Sequence, residues 1–143
     1  MDRSFVDRNR AASRRIRTLA ERLSDEDLQR PVGKHWTVAI VLAHLAFWDR
    51  RVALLLDHLE QTGKLEPLEI DLVVNDVALP LWAAIPPRAA AQLAIATTEA
   101  LDRRLEEYPE ALLAQVRSAN ERWMVRALHR EAHLDAIDAA LGR

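Results

Sequence analysis

The 143-residue chain has no cysteine and only three glycines. Without thiolates there is no disulfide framework, no sulfur-ligated metal site and no cysteine nucleophile, so thiol chemistry would need a thiol from outside. The scarcity of glycine, beside many Ala, Leu, Arg and Glu residues, points to an all-α chain. Neither sign of charge prevails, since 20 Lys and Arg face 22 Asp and Glu for a formal charge of -2. Arg14, Arg15 and Arg17 cluster early, but Glu21, Asp25 and Glu26 follow closely. No basic stripe stands apart from acids, which argues against a nucleic-acid partner. No apolar run reaches the about 20 residues of a bilayer span. The opening residues Asp2, Arg3, Asp7, Arg8 and Arg10 lack the apolar core of a signal peptide, so a cytoplasmic protein without a membrane partner is expected. The length suits one domain over residues 1–143.

What is present is concentrated in residues 36–50, from Trp36-Thr37-Val38-Ala39 through Leu42-Ala43-His44-Leu45 to Trp48-Asp49-Arg50. A helix of this stretch is apolar nearly all round, with His44 at its centre, and belongs inside a bundle. A buried imidazole needs partners, and two stand downstream in Leu128-His129-Arg130-Glu131-Ala132-His133-Leu134. At 100° per residue, His133 lies about 40° around the helix from His129 and one turn further along. Val125, Ala136, Ile137 and Ala140 fall within about 80° of that pair, while Glu131, Asp135 and Asp138 fall on the far side. Two histidines at i and i+4 let one helix offer two nitrogen ligands, and bundle cores often hold metals between facing helices. The competing reading makes His44 a satisfied core residue and the pair surface residues, and the residues alone leave the two readings level. His35, in a loop, and His58, near Asp57 and Glu60, read as solvent-facing, and Trp48 reads as core.

Along the chain, Phe5, Ile16, Leu19 and Leu23 mark an amphipathic helix from Asp2 to about Leu23. Ser24 and the acids after it suggest a short helical turn, and Pro31-Val32-Gly33 breaks the chain. Thr37 is placed to cap a second helix running to about Gln61 and ending near Gly63. Ile40 stands where a capping box would need Glu or Gln, so no reciprocal bond is expected. From Lys64 to Pro87 the prolines Pro67, Pro80, Pro86 and Pro87 imply a long crossover. A short helix capped by Asp71 and bent or ended near Pro80 is expected within it. A third long helix spans about Pro87 to Tyr108, and a fourth continues from Pro109 to about Leu141. No strand-like alternation, repeat or second domain is evident.

The tryptophan and histidine motifs of residues 36–50, in order and spacing with His129, His133, Leu134 and Ile137, resemble the DinB-like superfamily, which includes mycothiol-dependent maleylpyruvate isomerase-like proteins. The resemblance covers residues 1 to 141. It implies a four-helix bundle with a long crossover between the second and third long helices, and a homodimer. It also implies a divalent metal on His44, His129 and His133, and at an imidazole site zinc, nickel and copper all fit. Asn75 sits where many members carry an asparagine in the crossover. Ile40 departs from the pattern, since members often have Glu there.

Three neutral imidazoles leave metal positions open, which suits catalysis. The reading that follows is a metal-dependent enzyme of the thiol S-transferase or isomerase type, using a mycothiol- or bacillithiol-like thiol and a small-molecule substrate. Arg126 would anchor an anion, against a reading as a solvated arginine, and Asn75 would orient substrate or cap the crossover helix. The alternative is a non-enzymatic dimeric bundle for ligand binding or stress response, with a structural metal or none. Its motivation is the lack of an evident general acid or base beside the histidines.

Overall fold

Thr37 turns the chain into its longest helix. Its backbone is extended, and its hydroxyl accepts the Ile40 amide at 3.2 Å, satisfying one of the donors left open at a helix start. Helix α3 (Val38–Thr62) ends on Gly63, whose φ of 72° is the left-handed conformation that closes a helix at no side-chain cost. Every residue from Val38 to Ala46 is buried, so α3 requires neighbours on all sides.

In the computed structural model, which describes residues 1–66 and 69–143, those neighbours are helical. Pro67, one of the prolines expected to punctuate the crossover, lies outside the described residues. Helix α1 (Ser4–Arg22) precedes α3, as does the single turn α2 (Asp25–Leu28), which opens with a capping box between Ser24 and Asp27. Helix α4 (Val74–Ala83) lies in the crossover, followed by α5 (Pro87–Glu107), α6 (Glu110–Ala119) and α7 (Ala127–Ala140). The chain is therefore mostly helical, in keeping with the all-α expectation. Helix α3 packs chiefly on α5, and on α4 and α7, while α1 packs on α5 and α7. One apolar cluster joins Ile16, Leu42, Leu45, Ala94, Leu134 and Ile137. A second joins Val52, Leu56, Leu101, Leu105, Leu113 and Met124. Each fully buried Leu or Ile contributes about 1.5–3 kcal/mol. No helix among the described residues is long and apolar enough to cross a membrane.

Asp71, expected as the cap of the crossover helix, lies before it instead: α4 starts from Val73 with no side-chain cap, and Asp71 holds the preceding turn, its carboxylate accepting the Val73 amide at 3.1 Å and its carbonyl the Val74 amide at 3.0 Å. Pro80 sits inside α4, which continues to Ala83. Trp48 on α3 donates its indole N–H to Asn75 Oδ1 at 3.0 Å and so ties α4 to α3.

Two features depart from the sequence reading. Pro31–Val32 (β1) pairs antiparallel with Trp36–Thr37 (β2), a hairpin whose two-residue strands are too short to show alternation. The fourth long helix is not continuous. Asn120 is extended (φ -163°, ψ 106°), its side chain accepts the Arg122 amide, and a 3-10 turn over Glu121–Trp123 separates α6 from α7. Asn9 of α1 stabilises this break from afar, donating to the Met124 carbonyl and accepting the Ala127 amide, both at 2.9 Å. Met124 is thereby fully buried, and α7 starts anew at Ala127.

Candidate metal centre

Helix α3 supplies His44 and helix α7 supplies His129 and His133, one turn apart on the face turned to α3. His44 Nε2 lies 3.3 Å from His129 Nε2 and 3.2 Å from His133 Nε2. One nitrogen from each ring falls within 4.8 Å of the others. A tetrahedral zinc with bonds of about 2.0–2.1 Å places its nitrogen ligands about 3.3 Å apart. Two of the three separations match that spacing and the third nitrogen pair lies within 4.8 Å, and a donor set that is all imidazole suits a late first-row divalent cation.

Burial sets their protonation. His44 is held down to about 3, first by burial and then by the charge of His133, with the Asn75 side chain pulling the other way. His129 is also held down to about 3, by burial and then by the Arg126 guanidinium. Burial lowers His133 as well. All three are neutral near pH 7, the form in which a ring nitrogen has a lone pair to give a metal.

The three rings form the floor of a cavity of about 490 Å³, walled by Trp36, Trp48, Leu72, Asn75, Arg122 and Trp123. The Trp36 ring lies 4.8 Å from the His44 ring and nearly parallel to that of His133, at 14°. Trp82 closes the other side of His44 at 5.4 Å. The 3-10 turn that interrupts α6 and α7 forms one wall through Arg122 and Trp123, so the break expected to be helix shapes the site. No carboxylate stands among the described lining residues.

Beneath the histidines lies a buried ionic cluster. Asp49 is fully inaccessible, and its Oδ1 accepts Arg126 Nε at 2.8 Å. Its Oδ2 accepts Arg130 Nε at 3.0 Å and Nη2 at 2.8 Å. Burial alone would raise the Asp49 carboxyl, but Arg130 and then Arg126 outweigh it and hold the group below the usual range. Arg130, equally inaccessible, also donates to the Asn9 carbonyl at 3.0 Å and pairs with Asp102 at 2.8 Å. Burial nonetheless raises the Asp102 carboxyl, with Arg130 opposing.

The residues singled out in the sequence fall as follows. His44, His129 and His133 come together. Asn75 lines the cavity, with its oxygen engaged by Trp48. Arg126 lines it too, yet is only 5% exposed, so it is not a solvated arginine. Its guanidinium is engaged by Asp49, by the Arg122 carbonyl at 3.0 Å and by His129 Nδ1 at 3.3 Å. Trp48, expected as core, is half-buried and lines the cavity. His35 is exposed in the hairpin turn and His58 sits beside Glu66 at 3.2 Å; neither lines the cavity. The far-side acids of α7 meet α1, Glu131 on Arg8 and both Asp135 and Asp138 on Arg15. Asp49 and Arg130 had no role in the sequence reading, although a carboxylate inside an apolar helix is itself a signal that a cation must come to meet it.

Compared with known families, residues 9–140 match the family model described as mycothiol maleylpyruvate isomerase N-terminal domain. No curated protein and no solved structure matches the chain.

Proposed function

The chain belongs to the mycothiol maleylpyruvate isomerase N-terminal domain family, a DinB-like family, and from that premise we propose a divalent-metal-dependent enzyme that works with an external low-molecular-weight thiol of the mycothiol or bacillithiol type, in S-transfer or isomerisation. The observation that carries this reading is the convergence of three neutral imidazoles on the floor of an aromatic-walled cavity. His44, His129 and His133 would hold zinc or nickel. The cation, when bound, supplies the positive charge that lets a thiol lose its proton near neutral pH. Trp36, Trp48 and Trp123 limit water at the site, and Asn75 orients what enters. Arg122 on the rim gives the cavity a positive charge with no carboxylate among the described lining residues, while Arg126 behind His129 is paired with Asp49, and the rim charge favours a small anionic substrate or thiol.

Around this site, we read the four longest helices as one cytoplasmic single-domain bundle over residues 1–143, with α4 in the crossover. Leu72, Val73, Val77 and Leu81 are exposed on and beside α4, and this apolar face suits a homodimer contact. A second reading, a non-enzymatic dimeric bundle with a structural metal or none, is favoured by one observation. Among the described lining residues no carboxylate stands ready to act as general acid or base.

Metal analysis of untagged protein and of His44→Ala separates these readings. Stoichiometric transition metal in the wild type, lost in His44→Ala, is expected, followed by thiol-dependent turnover of an electrophile. Absence of metal from the wild type after reconstitution would refute the metalloenzyme. Bound metal without turnover over a panel of thiols would favour the second reading.

A further inference from the structure

We infer that Asp49, which makes no hydrogen bond to any of the three histidines, is the residue that positions them. The inference rests on the metal reading above and names what holds that site in register.

Arg126, His129, Arg130 and His133 fall within a sector of about 100° on one helix. The histidines form one edge of that sector and the arginines the other. The histidine edge meets His44, and the arginine edge meets Asp49, one and a half turns further along α3. Two arginines one turn apart grip the two oxygens of a single carboxylate, Arg126 on Oδ1 and Arg130 on Oδ2. A grip at two points fixes both the height of α7 along α3 and its roll.

Roll is what a ligand set tolerates least. An imidazole Nε2 stands about 7 Å from its helix axis, so a roll of about 10° moves it by about 1 Å. Coordination distances tolerate about 0.2 Å. The apolar contacts of Leu134 and Ile137 with the first cluster are non-directional and cannot hold that precision alone, whereas arginine–carboxylate bonds are directional. Stability does not explain the cluster, because apolar residues of similar volume commonly replace buried ion networks at no loss. Asp102 provides the internal control. It pairs with Arg130 from α5 and is not among the residues that line the cavity.

The test compares wild type with Asp49→Asn, Arg126→Met and Asp102→Asn. Zinc affinity is measured by competition with a chromophoric chelator, and the thermal midpoint of each protein is measured in chelator. Asp49→Asn should bind zinc at least about tenfold more weakly and give an altered cobalt(II) visible spectrum. Asp102→Asn should lower the midpoint yet keep wild-type zinc affinity and the wild-type cobalt spectrum. Arg126→Met leaves the Asp49–Arg130 pair intact, so it serves as the second variant should Asp49→Asn fail to fold, and it too should weaken zinc. Equal losses of affinity in Asp49→Asn and Asp102→Asn, or none in Asp49→Asn and Arg126→Met, would overturn the inference and leave Asp49 a packing residue.

If the wild type binds no zinc, the metal reading fails by itself, and the positioning claim is judged on nitrogen-15 imidazole spectra of the metal-free proteins. Shifts of His129 and His133 in Asp49→Asn but not in Asp102→Asn support it. Unmoved resonances in Asp49→Asn overturn it.

Discussion

Acid should unfold the metal-free protein through its own ligand set. His44 and His129 are held down to about 3, in each case by burial first, whereas an unfolded-chain histidine titrates near 6.5. Between those values the unfolded chain binds protons that the folded chain refuses, so stability rises with pH. It is fully present above about 6.5 and is lost as the pH falls through that value toward 3. At pH 5 the unfolded state has gained about 1.5 pH units of protonation, or about 2 kcal/mol for each histidine. His44 is only 4% exposed, so solvent screening removes little of this. The two together cost about 4 kcal/mol, which for a domain of this size lowers the thermal midpoint by about 12 °C. The assay is a pair of melts in chelator, at pH 7 and pH 5, repeated on His44→Gln. That variant removes one refused proton and should show about half the acid loss. A midpoint that moves by less than about 3 °C between the two pH values, or an equal drop in His44→Gln, would show that the imidazoles do not resist protonation.

Arg130→Met should cost about 3–5 kcal/mol in urea unfolding, because it strips Asp102 of its ion pair and leaves Asp49 with Arg126 alone. The deficit should shrink in acid as the orphaned carboxylates take up protons, and a loss under about 1 kcal/mol would contradict the buried cluster. Thr37→Ala removes the hydroxyl that accepts the Ile40 amide and should cost about 1 kcal/mol. An unchanged midpoint would mean that water caps α3 equally well. Asn75→Ala frees the Trp48 indole N–H and should speed amide exchange in α4 while leaving the global midpoint within a few degrees. Unaltered exchange would show that the crossover is held by packing alone.

The helices were legible because their signals are local. Thr37 before an apolar run and Gly63 after it mark the ends of α3 from the residues themselves, and the i and i+4 spacing of His129 and His133 survives into the structure. The break between α6 and α7 was not legible, because Asn120–Arg126 contains neither Gly nor Pro and the bonds that hold it come from Asn9 across more than a hundred residues of sequence. The hairpin over residues 31–37 was missed for the opposite reason, since two residues per strand give alternation nothing to repeat over.

Arg130 is the most instructive case. A helical wheel assigns a charged residue to solvent, and here it is the largest side chain without exposure. The rule that found partners for His44 applies equally to Asp49, because both are polar groups in a helix that is otherwise apolar and both must be met by another element. Applied twice, it resolves residues 126–133 into two interleaved pairs, Arg126 with Arg130 and His129 with His133, each at i and i+4. One pair meets the carboxylate of α3 and the other its imidazole. The registration of two helices and the gathering of three ligands are then written into the same eight residues, and the charged pair is what lets the neutral pair be accurate.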